Sequence, residues 1–269
     1  MAVERIVSEG AGGRTLTQQL NRWIDVARRE IVPIAFFFGI GLLLLAFLEI
    51  TDEVTEGEGE VRWLDEGLLM ALRTADPADP IGPRWFEEIV VEITALGGFG
   101  VLALVTLLAV GYVLVQGKWG SAIMLLVATL GGTAISEGLK VGFSRPRPDL
   151  VAHAVDVTSM SFPSGHAMLS AVTYLTLGAL LARTQKSAPL RAYVLGSAVL
   201  LTLLIGASRI YLGVHWPTDV LAGWCLGAAW ALVCWFAATL LSRREKTAEP
   251  APGAGLPISA VQRKGQAEQ

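Results

Sequence analysis

The sequence predicts an all-α protein that crosses a membrane several times. Apolar residues make up 53% of the 269 residues and charged residues only 17%, and the mean hydropathy is +0.54. A water-soluble domain typically carries about 25% charged residues. The apolar residues also gather in runs of about 20, the length that an α-helix needs to cross a bilayer. We therefore expect a helical membrane bundle, and no basic tract indicates nucleic-acid binding.

Six apolar runs are long enough to cross the membrane. They are residues 31–50, 94–116, 121–140, 164–182, 192–211 and 219–241. The first run follows a polar segment that is too long for a signal peptide, so we interpret it as a retained anchor. These boundaries predict an N-terminal segment, 1–30, a six-helix membrane domain, 31–241, and a disordered tail, 242–269.

Two segments outside these runs have helical patterns of their own. In the N-terminal segment, apolar residues from Leu16 to Ala27 share one helical face, which indicates an interfacial helix or, equally, an ordinary solvated tail. The connection 51–88 is acidic, with eleven Asp and Glu against three Arg. It also carries an apolar stripe, which predicts a helix lying on the membrane surface. The stripe consists of Val61, Leu64, Leu68 and Leu72.

The distribution of basic residues predicts the orientation in a cell membrane. An even number of spans places both termini on one side. That side collects fourteen Lys and Arg, whereas the other has three outside the segments discussed below. Cytoplasmic loops carry an excess of Lys and Arg. We therefore expect cytoplasmic termini, with the loops 51–88, 141–163 and 208–218 on the outer face.

Most of the unusual polar residues lie in these outer loops and at the adjoining helix ends. Four cations are predicted at one depth, namely Lys140, Arg145, Arg147 and Arg209. Lys140 taken alone is better explained as a structural partner of Glu137, three residues before it, or as a lysine that extends to the membrane surface. Four cations together favour an anion with several oxygens, because a planar guanidinium binds phosphate oxygens through two hydrogen bonds.

The segment SFPSGH, residues 161–166, predicts the start of the fourth span. Serine is a favoured N-cap residue and proline fits the first turn of a helix. Gly165 allows a ligand to approach the backbone closely, and a helix N-terminus attracts anions. The sixth span begins similarly near Pro217. Two helix N-termini, each close to a histidine, are therefore expected on the outer face.

The histidines differ in their surroundings. His215 lies four residues before Asp219, and a carboxylate bonded to one ring nitrogen leaves the other nitrogen free to attack. Asp219 is also explained as an ordinary acid at a helix N-terminus. His166 is then available to donate a proton to a leaving oxygen. His153 has no motif around it, and we interpret it as a surface residue.

Three segments of the chain resemble, in order, the signature of the type 2 phosphatidic acid phosphatase family, which shares its core with the vanadium haloperoxidases. They are KVGFSRPRP (140–148), PSGH (163–166) and SRIYLGVHWPTD (208–219). The six-helix pattern extends the resemblance more loosely over residues 31–241. The resemblance implies the helical bundle of this family, and the loop 51–88 and both tails carry none of its motifs.

The resemblance also implies roles for individual residues. His215 would be the nucleophile that forms a phosphohistidine, Asp219 would orient it, and His166 would protonate the leaving alcohol and later activate water. The phosphate would be bound by Lys140, Arg147, Ser164, Gly165 and Arg209. The family needs no metal or other cofactor, and no carboxylates with metal-ligand spacing lie beside the motifs. Arg145 lies outside the motif and its role stays open.

These features favour a lipid phosphate phosphatase that acts at the outer face while the lipid tails stay in the bilayer. A haloperoxidase-like vanadate enzyme is one alternative, although those relatives are soluble. A non-catalytic lipid-binding or transport protein is another, although no catalytic histidine is missing. The sequence does not choose among phosphatidic acid, phosphatidylglycerophosphate, an isoprenyl diphosphate such as undecaprenyl pyrophosphate, and a sphingoid phosphate. The oligomeric state also stays open, because the GxxxG of Gly223 and Gly227 fits internal packing better than a dimer face.

Overall fold

The computed structural model describes residues 16–56, 60–155 and 159–248, and these ranges contain eight α-helices and no β-strand. Helices α1 to α8 are Leu16–Glu56, Glu60–Met70, Arg84–Ala95, Phe99–Val115, Trp119–Phe143, Gly165–Thr184, Ala188–Tyr211 and Pro217–Ala248. Five of them, α1 and α5 to α8, are long and apolar enough to cross a membrane. Helices α3 and α4 pass the same test together, although they are bent by 49° at the break between them. Counted as one bent span, they bring the total to six, and the predicted all-α membrane bundle is confirmed.

The first helix differs from the prediction at both ends. The predicted helix in the N-terminal segment is continuous with the first span, since α1 begins at Leu16. The predicted end of the span at Ile50 was wrong, because the helix continues to Glu56 and its apolar span covers Pro33–Thr55. The Thr51 hydroxyl donates to the carbonyl of Phe47 at 2.7 Å, which lets a polar residue continue the helix. The connection that follows the first span is correspondingly shorter than the predicted 51–88.

Two further boundaries were also predicted wrongly. The apolar run 94–116 does not form one straight helix, because it is interrupted between Ala95 and Phe99. At the other end of the chain, α8 continues to Ala248, so residues 242–248 of the predicted disordered tail are helical. Residues 1–15 and 249–269, and with them the rest of both predicted terminal segments, lie outside the described ranges.

Helix α6 lies at the centre of the bundle. It packs against α4, α5, α7 and α8, and small buried residues such as Ala167, Ser170 and Ala171 let those helices approach it. The outer helices carry exposed large apolar side chains, for example Phe38 on α1 and Leu108 on α4. An apolar belt of this kind is expected where lipid tails replace water.

The α6–α8 contact depends on two glycines of α8. A Cβ atom on Gly223 would lie 2.8 Å from the carbonyl oxygen of Ser164, and one on Gly227 would lie 2.5 Å from that of Met168. Real Cβ atoms do not approach backbone oxygens this closely, so each glycine sets the distance between the two helices. The interpretation of this GxxxG as internal packing is confirmed.

We expect Gly227→Val to destabilise the bundle by about 1–3 kcal/mol, the usual cost of overpacking. The measurement is the apparent melting temperature in detergent, which should fall by several degrees. Gly196→Ala on α7 is the matched control, because nothing lies within 4 Å of a Cβ at that position. Equal melting temperatures for the two variants would contradict the proposed close contact.

Helix α2 confirms the predicted helix in the connection 51–88. Leu64 and Leu68 of the apolar stripe are exposed, as is Trp63 beside them. Asp65 and Leu69 face the protein and are buried. The helix thus presents apolar side chains outward, as an amphipathic helix on a membrane surface does, and directs one carboxylate towards the bundle.

Candidate active site

The short connection between α7 and α8 holds His215 close to Asp219. Gly213 has a φ of +74°, a conformation that favours glycine, and turns the chain there. Asp219 lies in the first turn of α8, and its Oδ2 is 3.4 Å from Nδ1 of His215. The same oxygen accepts hydrogen bonds from the backbone N–H of Trp216, at 2.9 Å, and from the hydroxyl of Ser161. Asp219 is therefore fixed by several donors at once.

Arg147 indicates which nitrogen of His215 carries the lone pair. A nitrogen of its guanidinium, NH1, lies 3.1 Å from Nε2 of His215 and 2.6 Å from the carbonyl of Val214. A guanidinium only donates hydrogen bonds. Nε2 must therefore accept, and the proton of the neutral ring lies on Nδ1, facing Asp219. The lone pair needed for nucleophilic attack is on Nε2.

The charge state of His215 agrees with this arrangement. Only 2% of the residue is exposed. Burial lowers the pKa of His215 to about 4, although the hydrogen bond to Asp219 acts in the opposite direction. The imidazole is therefore neutral at neutral pH, as a nitrogen nucleophile has to be.

His166 lies in the first turn of α6, beside the break between α3 and α4. A Cβ on Gly97 would lie 3.2 Å from Cδ2 of His166 and only 2.4 Å from Cγ2 of Ile205. At the break, the backbone of Gly97 therefore packs directly against the imidazole of His166. A larger residue at position 97 would displace this imidazole. Within the described part of the chain, no hydrogen bond to the His166 ring is found, so the ring is open to a ligand.

Lys140 reaches the N-terminus of α6 from the last turn of α5. Its Nζ lies 3.0 Å from a Cβ placed on Gly165, so this glycine makes room for the lysine. Nζ also donates to Oε1 of Glu137 at 2.7 Å, which confirms the predicted ion pair. The lysine thus stands between a carboxylate and the free N–H groups at the start of α6.

Arg209 reaches the same region from the last turn of α7. Only 3% of the residue is exposed, and its NH1 donates to the hydroxyl of Thr94 on α3 at 2.9 Å. Its buried Nε has no partner among the described residues. A buried cation with unused donors is poised for an anionic ligand.

These side chains line one cavity of about 670 Å³. Its polar wall includes most of the predicted site, namely Lys140, Arg147, Gly165, His166, Arg209 and His215. The lining also includes the apolar side chains of Val91, Ala95, Phe99 and Leu169. A ligand with a multiply charged head and an apolar body fits such a lining.

Two predicted site residues lie behind the cavity. Asp219 and Ser164 are fully buried and do not line it. The hydroxyl of Ser164 instead accepts from the backbone N–H of Ala167 at 3.5 Å, as the N-cap of α6. His153 is exposed, does not line the cavity and bonds through Nε2 to the carbonyl of Pro148 at 2.7 Å.

Arg145, whose role the sequence left open, contacts the buried carboxylates. Its NH1 donates to Oδ1 of Asp219 at 2.6 Å and its NH2 to Oδ2 of Asp65 at 2.9 Å. Sequence reasoning did not assign Asp65, Ser161 or Thr94 to the site. The one signal for Asp65 was an acid beside the apolar stripe of α2. Among the described residues, no group of three or more His, Cys, Asp or Glu is arranged to hold a metal ion.

Comparison with known proteins identifies the class. The profile of the PAP2 superfamily matches residues 121–242. Phosphatidylglycerophosphatase B of Bacillus subtilis strain 168 is 37% identical over 152 residues, which are 53% of this chain and 70% of the relative. Undecaprenyl-diphosphatase of Sulfolobus acidocaldarius is 42% identical over 71 residues, 26% of this chain and 30% of the relative. The chain is thus a multi-pass membrane phosphatase.

Solved structures agree with this class. The PAP2-type phosphatidylglycerolphosphate phosphatase from Bacillus subtilis matches with a TM-score of 0.65 and 29% identity, covering 77% of this chain and 97% of the other. Aquifex aeolicus LpxE shares the fold, with a TM-score of 0.51 and 22% identity over 64% of this chain and 95% of the other. The chain belongs to the PAP2 superfamily, as the motifs predicted. It is a membrane lipid phosphatase of that class.

Proposed function

We propose that the enzyme hydrolyses a phosphomonoester or diphosphate of a lipid through a phosphohistidine on His215, without a metal ion, at the outer face of the membrane. The observation that carries the proposal is the contact of Arg147 with Nε2 of His215. It directs the lone pair of a neutral imidazole towards a cationic cavity. The catalytic unit is the membrane domain, residues 31–241.

In the first step, Nε2 of His215 attacks the terminal phosphorus, and an N–P bond forms as the P–O bond to the leaving group breaks. The leaving group is the lipid alcohol of a monoester or the lipid monophosphate of a diphosphate. Protonated His166 gives its proton to the leaving oxygen. The Nδ1 proton stays on His215, where Asp219 stabilises the positive ring. In the second step, neutral His166 takes a proton from water, whose oxygen attacks phosphorus. The N–P bond breaks and inorganic phosphate leaves.

The charge that develops on the phosphoryl oxygens is met by three cations and one helix end. Lys140, Arg147 and Arg209 line the cavity, and the N-terminus of α6 at Gly165 adds free N–H groups. Ser164 contributes indirectly, as the N-cap that fixes this terminus. Preorganised donors of this kind stabilise a transition state without reorganising during the reaction.

Phosphatidylglycerophosphate is the first substrate that we propose. The match to phosphatidylglycerophosphatase B covers 53% of this chain, whereas the match to undecaprenyl-diphosphatase covers 26%. The apolar side chains in the cavity lining also suit a substrate whose tails remain in lipid. The outer-face site rests on the excess of Lys and Arg on the side of the termini. An isoprenyl diphosphate is the second candidate, because the Sulfolobus acidocaldarius relative is named for one.

The test is to trap the intermediate in the wild-type enzyme. Purified protein in detergent is mixed with ³²P-labelled phosphatidylglycerophosphate, phosphatidic acid or undecaprenyl pyrophosphate, in the presence of EDTA, and quenched within milliseconds in alkali. We expect label on the protein that survives base, is lost in acid, and maps to the peptide containing His215. Steady phosphate release without labelled protein would contradict the proposed intermediate. Loss of release in EDTA would contradict the metal-free reaction.

The outer-face site has a separate test. Intact cells that express the enzyme are given a short-chain, membrane-impermeant lipid phosphate. We expect phosphate to be released outside the cells at the rate seen after permeabilisation. Release that requires permeabilisation would place the site on the cytoplasmic side.

A further inference from the structure

Asp65 is a buried carboxylate on a helix whose other face is exposed. Only 1% of Asp65 is exposed, compared with 73% of Trp63, two residues before it. Removing a carboxylate from water is costly unless charged or polar partners replace the water. The contacts of Asp65 therefore show why α2 lies where it does.

The partners of Asp65 come from the start of α8 and from the loop after α5. Its Oδ1 accepts from the backbone N–H of Thr218 at 2.9 Å, and its Oδ2 accepts from the hydroxyl of Thr218 at 2.6 Å. Oδ2 also accepts from NH2 of Arg145 at 2.9 Å. Asp65 thus caps the N-terminus of α8 through Thr218, the residue that precedes Asp219.

Arg145 lies between two carboxylates. Its NH1 is 2.6 Å from Oδ1 of Asp219 and its NH2 is 2.9 Å from Oδ2 of Asp65. The guanidinium also stacks over the indole of Trp216, 5.6 Å from the ring centroid. A guanidinium shared in this way leaves part of the charge of Asp219 uncompensated. That remaining charge is available to the imidazole of His215.

We propose that Asp65 is a positioning residue for the phosphatase reaction. It holds Arg145 against Asp219 and takes up part of its positive charge, so that Asp219 keeps both its geometry and its charge for His215. The connection runs from Asp65 through Arg145 and Asp219 to His215. It links the surface helix α2 to the nucleophile, and it rests on the proposed role of His215.

Replacing Asp65 by asparagine isolates this role. The amide oxygen still accepts from the N–H of Thr218, whereas the negative charge opposite Arg145 is lost. Arg145 then places its full charge on Asp219, and the positive imidazole that forms in the transition state is less stabilised. We expect kcat to fall on the order of 10-fold or more, the scale seen when a residue that orients a metal ligand is replaced. KM should change little, because Asp65 does not line the cavity.

Glu66→Gln is the matched control on the same helix. Glu66 pairs with exposed Arg62 at 2.9 Å, and exposed pairs contribute little. This variant should retain wild-type kcat and KM. A double-mutant cycle with Arg145→Gln tests the connection, since Asp65→Asn should add little to the loss already caused by Arg145→Gln. Additive losses would show that Asp65 acts by another route and would overturn the proposal.

Two further outcomes are decisive. Wild-type kcat in Asp65→Asn, with label still trapped on His215, would overturn this proposal and leave the proposed function intact. Absence of trapped label in the wild-type enzyme would instead refute the proposed function. If Asp65→Asn does not fold, Thr218→Val is measured in its place, because it removes the hydroxyl that bonds Asp65 and Arg145. A fall in kcat at constant KM supports the proposal, and an unchanged kcat overturns it.

Discussion

Replacing His215 is expected to reduce phosphate release from lipid phosphates on the order of 10⁴-fold or more, the scale seen when a nucleophile is removed from an enzyme. Two variants separate chemistry from folding. His215→Ala removes all polar atoms of the side chain, whereas His215→Asn keeps a nitrogen near the position of Nδ1 and lacks the reacting Nε2. Both should release no phosphate above background, and neither should form labelled phosphoenzyme.

His153→Ala is the control for these two variants. His153 is exposed, does not line the cavity and bonds only to the carbonyl of Pro148 among the described residues, so its loss should leave kcat unchanged. Melting temperatures in detergent establish that each variant is folded. Substantial turnover by folded His215→Asn would show that another group attacks the phosphorus.

Replacing His166 by alanine is expected to slow both proposed steps, the phosphorylation of His215 and the hydrolysis of the phosphohistidine. How far phosphorylation slows should depend on the leaving group. An alkoxide of a lipid needs a proton as it leaves, so kcat for lipid phosphates should fall by about 10²- to 10⁴-fold. Nitrophenolate leaves without that help. With p-nitrophenyl phosphate, the variant should still release one equivalent of nitrophenol in a burst, and then stall because no base activates water.

This prediction is tested by measuring the amplitude of the nitrophenol burst and the amount of labelled phosphoenzyme. His166→Ala should accumulate phosphoenzyme from p-nitrophenyl phosphate, whereas the wild-type enzyme turns it over. His153→Ala serves again as the control and should show wild-type behaviour with both substrates. Equal slowing of phosphorylation by the two substrates would contradict the role of His166 as a general acid.

The polar half of the cavity could be predicted from the sequence because each motif lies at a helix end. Lys140, His166 and Arg209 follow or precede long apolar runs, and the order of the spans brings those ends to one side of the bundle. The spacing of four residues also indicated the His215–Asp219 pair, because residues four apart lie close together at a helix start. These features depend on local sequence patterns, which can be recognised in a single sequence.

The residues that the sequence did not assign are contributed by distant segments. Asp65 contacts Thr218 across 153 residues, and Thr94 contacts Arg209 across 115. No local pattern records such pairs. The break at Gly97 was missed for a different reason, because the apolar run continues through it and hydropathy alone predicts one helix. The close contact with Ile205 and His166, which requires glycine there, is visible only in three dimensions.

The contact between Arg147 and Nε2 of His215 has a consequence for the resting enzyme. The lone pair that would attack phosphorus is already occupied by a donor 3.1 Å away. In the proposed mechanism, the substrate's phosphoryl oxygens draw this guanidinium away, so recognition and unmasking of the nucleophile occur together. An alkylating agent without negative charge offers Arg147 nothing to bind. We therefore expect His215 to react slowly with uncharged electrophiles while the substrate is absent.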